Sequence, residues 1–267
     1  MRFDILTIFP EAFESYFNTS IIKRAKEKKL LKINIFNLRK WTKDKHQTVD
    51  DRPYSGGAGM IFMLEPIFKA LKDLSKNPPR FVRQNLVSPC LRRQGFARNR
   101  KEGKNKKKRI ILFSLKGKKL TQKKLEQLKK YDQLILICPH YEGVDERVAK
   151  YLADEEISIG DYILTGGELP AMILVDAITR LTPGAIKEES LKEESFSSLL
   201  IKNLKLKIKN LYYEYPQYTR PEVFYPYPLK KNAWRVPKVL LSGNHQKIKQ
   251  WREKHAISQK AKFKSQN

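Results

Sequence analysis

Ser158-Ile159-Gly160-Asp161-Tyr162-Ile163-Leu164-Thr165-Gly166-Gly167-Glu168-Leu169-Pro170 is the stretch on which the reading of this 267-residue chain turns. It reads as the end of a short buried strand (Ile157, Ile159), a glycine, an apolar segment from Tyr162 to Leu164, and a Gly-Gly pair opening a helix. Pro170 suits the first helical turn, where its missing N–H would have no partner anyway. Three glycines among apolar residues weaken local structure unless the backbone must turn sharply or let a flat group approach. A strand–loop–helix connection whose glycines serve geometry alone fits the stretch as well. The decision therefore rests on its surroundings.

Upstream, the same arrangement of strand end, loop with Gly or Ser, and helix recurs. It is seen at Phe113-Ser114-Leu115-Lys116-Gly117 and at Cys138-Pro139-His140-Tyr141-Glu142-Gly143, besides Ile159-Gly160 and Leu164-Thr165-Gly166-Gly167. Phe3 to Phe9, Leu31 to Leu38, Ile110 to Ser114 and Leu134 to Cys138 read as strands, the last wholly apolar as a central parallel strand is. Between them, helical spacing places Phe13/Phe17 with Ile21, Ile22 and Ala25, then Leu64 to Leu74, then Thr121 to Lys130. A helix carrying Val144, Val148 and Leu152 follows Gly143, and another runs from Leu169 to Arg180. Strands alternating with helices predict an α/β fold with a mainly parallel sheet. In such sheets ligands sit outside the carboxyl ends of the strands, so the four loops would line one pocket of main-chain amides and carbonyls. That suits an adenosine-bearing cofactor, whose base edge main chain reads well.

The chain carries 55 Lys+Arg against 28 Asp+Glu, a net charge of +27. This favours a polyanionic partner, nucleic acid before membrane, although widely spread lysines also fit a compositional bias. Residues 77–108 form a basic excursion with few periodic apolars. Residues 1–186 read as the main domain, 187–210 as a charged linker, and 211–267 as a smaller domain rich in aromatics. No apolar run reaches the ~18–20 residues of a membrane span. Cys90 and Cys138 form neither a metal pair nor a disulfide framework, and a reducing, cytoplasmic location is expected. His46, His140, His245 and His255 lack metal-ligand spacing, so no metal site is expected. A Ser-His-Asp hydrolase lacks its nucleophile elbow.

Five motifs then appear in order. They are Asp50-Asp51-Arg52-Pro53-Tyr54, Tyr141-Glu142-Gly143-Val144-Asp145-Glu146-Arg147, the opening stretch, Tyr218-Thr219-Arg220-Pro221-Glu222-Val223, and Ser242-Gly243-Asn244-His245 to Trp251-Arg252. Together they closely resemble the bacterial tRNA (guanine-N1)-methyltransferases that modify the guanine just 3′ of the anticodon, from Met1 to about Arg252. The resemblance implies a deep trefoil knot of the SPOUT type in the parallel sheet, and a smaller, mostly helical C-terminal domain. It implies S-adenosyl-L-methionine in the knot loops, a homodimer with a composite site, and the anticodon stem-loop of tRNA as substrate. Carried over for cofactor contact are Ser114, Tyr141, Glu142 and Gly143, then Ile159, Gly160, Tyr162, Leu164, Gly166 and Gly167, with Glu214 from beyond the linker. For RNA contact they are Asp50, Arg52, Arg220, Asn244, His245 and Arg252. Arg180 is implied as the catalytic cation and Glu194 as the base.

The chain departs from the family pattern in four places. Glu194 and Glu214 stand where aspartate is usual, Pro139 where glycine is, and Leu115 where proline is. Read without the resemblance, Arg180 is a cation at a helix C-terminus, Tyr141 fits a core position, and Asp145, Glu146 and Arg147 form a surface charge cluster. A knotted relative that binds RNA without methylating it, or that methylates another position, remains open on sequence.

Overall fold

The computed structural model describes residues 1–54, 56, 59–75, 107–187, 215–226 and 233–264. The chain divides into two compact units, Met1–Ile186 and Lys187–Asn267. In the first, β1 (Arg2–Thr7), β2 (Lys32–Asn37), β5 (Lys108–Lys119), β6 (Gln133–Ile137) and β7 (Glu155–Ser158) form one parallel sheet, ordered β2-β1-β6-β5-β7. A short antiparallel pair, β3 (Asp50–Asp51) and β4 (Ile61–Phe62), stands apart.

The sheet is layered because its central strands carry apolar side chains on both faces. Every residue of β6 is buried, and the pleat sends Leu134 and Leu136 to one side, Ile135 and Ile137 to the other. The first side receives Phe13, α1 (Glu14–Phe17), α2 (Ser20–Glu27), α4 (Gln122–Leu128) and α5 (Glu168–Arg180) through Phe17, Ile22, Leu125 and Leu174. The second receives α3 (Leu64–Ser75) through Ile67 and Leu71, with Leu38 and Val148. Each such side chain contributes ~1.5–3 kcal/mol by leaving water. Among these apolar layers Asp4 is wholly buried, and it is held by Asn34 Nδ2 at 2.6 Å, by Gln133 Nε2 and by the Arg2 guanidinium.

Helix starts follow local chemistry. Thr121 caps α4 by accepting from the Lys124 amide at 3.3 Å. α5 begins at Glu168, one residue before the expected Leu169, and puts that acid in its first turn. In the second unit, β8 (Val223–Phe224) pairs antiparallel with β9 (Trp234–Arg235), followed by α6 (Lys238–Leu241) and α7 (His245–Lys264). Asn244 caps α7 by accepting from the Lys247 amide at 3.0 Å.

Four expectations change. Val144 is not helical: it bridges to Phe62, and the helical residues after it include a π-helical turn at Val148–Leu152. Gly143, at φ +127°, swings the chain across β4 before any helix can start. Ile159 lies outside β7, which ends at Ser158. Tyr162, Ile163 and Leu164 are exposed in spite of their apolar character. β5 runs five residues beyond Ser114, because it leaves β7 after Phe113 and rejoins it at Lys118. Ile157 is the partner of both Phe113 and Lys118, so Ser114–Gly117 bow out of the ladder. Most of the basic excursion, and Ile201–Leu211, lie outside the described residues.

Candidate active site

The carboxyl ends of β5, β6 and β7 lie side by side, and the loops that leave them meet over the sheet edge. The Cys138 amide bonds to Leu6 O at 3.0 Å and ends the ladder of β6. The chain then turns back, and His140 makes an antiparallel bridge with Gly166 while the Gly167 amide donates to Pro139 O at 2.8 Å. The opening stretch is thereby stitched to the loop after β6. A side-chain carbon at Gly166 would overlap the Glu168 carboxylate and the His140 ring, so glycine there lets both keep their places. Gly117 likewise lies against the backbone at Glu156 and Ile157, which lets the bow of β5 close on β7.

The result is a cavity of about 420 Å³, within the ~300–1,000 Å³ of small-molecule sites. All the residues expected at a cofactor line it except Glu214. Ser114 comes from the bow of β5, Tyr141 to Gly143 from the loop after β6, and Ile159 to Gly167 from the loop after β7. Glu214 and Glu194 lie outside the described residues. Tyr141 takes the left-handed conformation, φ +58°, and is exposed with its ring edge on Phe62 rather than in the core. The polar loop of residues 42–60 meets this rim: Glu142 N donates to Met60 O at 3.1 Å, and Gly59 packs on the Glu142 side chain.

Arg180 is elsewhere. It ends the thirteen-residue α5 whose first turn borders the cavity, so about 18 Å of helix separates the two. Asp145 and Arg147 are a surface ion pair, with contacts of 2.8 and 2.6 Å. The Arg147 hydrogen bond holds the Asp145 carboxyl below the ordinary carboxylate range. Glu146 lines the cavity and pairs with Lys116 across it at 3.1 Å.

The sequence reading gave no role at the site to His140, which lines the cavity, or to Glu168, which is buried beside it. Glu168 is buried, and its Oε1 accepts from Thr7 Oγ1 at 2.7 Å. Its other oxygen faces His140 Nδ1 at 3.8 Å. Burial, and then the Glu168 charge, hold the neighbouring Cys138 thiol well above its ordinary range. No local pattern marks the pair: His140 was weighed only as a metal ligand, and Glu168 only as part of the stretch that opens the helix.

Of the residues expected at RNA, Asp50 lies in β3 opposite Phe62 of β4, and Arg52 is exposed in the loop beyond. In the second unit Arg220, Asn244, His245 and Arg252 are all exposed, and the Arg252 guanidinium lies 4.7 Å from the centre of the Tyr215 ring. Among the described residues no helix is long and apolar enough to cross a membrane, and no group of three or more His, Cys, Asp or Glu could hold a metal ion.

The sequence profile of the family described as tRNA (Guanine-1)-methyltransferase TrmD matches residues 1–266. The tRNA (guanine-N(1)-)-methyltransferase of Dictyoglomus turgidum is 44% identical over 96% of this chain and 85% of its own length. Its namesakes from Moorella thermoacetica (43%, over 96% and 86%) and Geobacillus kaustophilus (44%, over 96% and 87%) are similar in extent. A match along nearly the whole chain, with the five motifs in order and four strand-end loops on one cavity, leaves one assignment: this chain belongs to the tRNA (guanine-N1)-methyltransferase family of enzymes.

Proposed function

We propose that this protein methylates N1 of the guanine just 3′ of the anticodon in tRNA, with S-adenosyl-L-methionine as donor. It does so as a cytoplasmic homodimer built on a trefoil knot and a helical, tRNA-gripping C-terminal domain. The observation that carries the reading is the cavity, in a chain that matches the family from end to end. Its walls suit an adenosine-bearing cation. Gly143, Gly160, Gly166 and Gly167 in its lining offer main chain that can read a purine edge without side chains in the way. Glu142 supplies negative charge for a sulfonium or an ammonium, while Glu146 is paired with Lys116. When bound, S-adenosyl-L-methionine supplies the methyl group; the chain does the rest.

Guanine N1 carries a proton at neutral pH, so a base has to remove it. Glu194 takes that proton, a contribution of ~10²–10⁴-fold. Negative charge then grows toward O6, and Arg180 stabilises it in a site closed to water. Glu142, Gly143 and the stretch from Ile159 to Gly167 fix the donor, so that alignment adds a further large factor. Because α5 carries Arg180 away from the cavity of its own subunit, the site is composite, with each subunit completing the other's. The exposed apolar side chains Phe9, Tyr16, Leu169 and Ile173, the last two on α5, support a self-docking face.

Purified protein with radiolabelled S-adenosyl-L-methionine and an anticodon stem-loop transcript tests the reading. Transfer to guanine N1, abolished by Glu194→Gln or Arg180→Ala, is the expected result. Cofactor and RNA binding without transfer would mean a non-catalytic RNA binder, and transfer to another nucleotide a different specificity. RNA affinity falls steeply with salt if the excess lysine grips phosphate; a flat response would contradict that role.

A further inference from the structure

His140 sits on the cavity wall with one ring nitrogen, Nδ1, sealed from solvent and without a hydrogen-bond partner. The side chain as a whole keeps 22% of its surface exposed, so that exposure belongs to the rest of the ring. The ring is held edge-on between Phe9, centroids 4.9 Å apart, and Tyr141, 5.1 Å. Nδ1 faces Glu168 Oε2 at 3.8 Å through the space that the missing Gly166 side chain leaves. The carboxylate has little freedom of its own. Thr7 Oγ1 grips its other oxygen at 2.7 Å and itself accepts from the Phe9 amide at 2.9 Å, and the first turn of α5 favours negative charge there.

A neutral imidazole has one donor and one acceptor nitrogen, and which is which follows from what each nitrogen meets. A lone pair on Nδ1 would point at a carboxylate lone pair in a dry pocket, where such opposition is costly. An N–H on Nδ1 turns the same approach into an attraction, and a shift of about 1 Å brings it to hydrogen-bond length. Carboxylates fix histidine tautomers in this way behind many metal sites. We propose that Thr7 and Glu168 hold His140 with its proton on Nδ1, and so present Nε2 at the cavity wall as an acceptor for an O–H or N–H of the bound nucleoside. The inference rests on the proposed cofactor reading and adds one specificity-determining side chain, His140, and one positioning residue, Glu168. It also accounts for a buried acid at the start of α5, since helix geometry alone asks only for an exposed one.

Ring-¹⁵N-labelled protein, on the alkaline side of the ordinary imidazole range, tests it by NMR. The expected spectrum shows His140 protonated at Nδ1, with the Nε2 resonance moving when S-adenosylhomocysteine is added. Glu168→Gln keeps an acceptor for Thr7 but loses the charge, and the two tautomers become mixed. By calorimetry, Glu168→Gln and His140→Ala each weaken S-adenosylhomocysteine binding about tenfold, roughly 1.4 kcal/mol, and the double variant is no worse than either. A wild-type spectrum with the proton on Nε2, or unchanged binding by His140→Ala, overturns the inference. The wild-type spectrum needs no variant to fold. A wild-type protein that binds none of the nucleoside overturns this inference together with the proposed function; the wrong tautomer with binding intact overturns this inference alone.

Discussion

The Thr7 hydroxyl, at the carboxyl end of the first strand, donates to the Glu168 carboxylate, 161 residues further along the chain. One bond thus ties the opening strand of the sheet to the start of the helix that follows the loops of the site. Thr7→Val keeps the shape of the side chain and removes the donor. It also leaves the Phe9 amide without its acceptor. The expected loss is roughly 1.5–3 kcal/mol, the range for a buried hydrogen bond to a charged group. Urea unfolding reads it directly, and Thr7→Ser restores most of it.

Gly166→Ala puts a carbon where the Glu168 carboxylate and the His140 ring already stand. Overpacking of this kind costs ~1–3 kcal/mol. The Gly166–His140 bridge is what sets the cavity wall, so nucleoside binding falls as well. Gly56→Ala is the control: the added carbon meets nothing within 4 Å. Its left-handed φ of +72° makes alanine strained there by ~1–2 kcal/mol, so the change lowers stability without touching affinity. Equal loss of affinity in both variants would contradict the assignment of the wall.

Glu155 joins Arg109, at 2.9 Å, and Lys124 at the edge of the sheet. Burial raises its carboxyl, but the hydrogen bonds from Lys124 and Arg109 outweigh it and leave the group below the ordinary range. A depressed acid stabilises the fold above the ordinary carboxylate range, about 4.3 for Glu, and loses that contribution as pH falls through its folded value. Glu155→Gln is therefore less stable than the wild type at neutral pH. The two unfolding midpoints converge as the solution is acidified. A constant gap from neutral to acid would show that the charge has no part in it.

The length of α5 separates the two roles assigned to its ends. Arg180→Ala lowers kcat by ~10²–10³-fold, the cost of removing a group that stabilises developing charge. S-adenosylhomocysteine affinity is unchanged, because the charge that Arg180 offsets develops only during transfer and a helix length separates it from the cavity of its own subunit. Calorimetry beside single-turnover kinetics checks both halves. If affinity falls with kcat, the two ends are not independent.

The strands and helices were legible where one period dominated. β6 declared itself by an unbroken apolar run, and α3 by Ile67, Ala70 and Leu71 on one face. The bow of β5 was not, because leaving and rejoining the same partner strand creates no turn signal; Lys118 and Lys119 look like solvent-facing loop residues until a neighbour pairs with them. Val144 was misplaced for a related reason, since an apolar residue at helical spacing from Val148 carries no mark of its cross-chain bridge to Phe62. At the site, the glycines marked the loops that line the cavity, because closeness of backbones leaves a compositional trace. His140 and Glu168 left none. Their meaning comes from a contact made across Gly166 and from a threonine near the other end of the unit, and no local window contains both.

The bow from Ser114 to Gly117 is moored at each end to the same residue of β7, Ile157. A segment tied down twice over four residues has no hinge to swing on. The entropy lost in shaping that side of the pocket is spent once, during folding, and not again at each encounter with a ligand. Whatever adjusts to an arriving nucleoside must then be the rim opposite, and preorganisation of the fixed side keeps the mould true between turnovers.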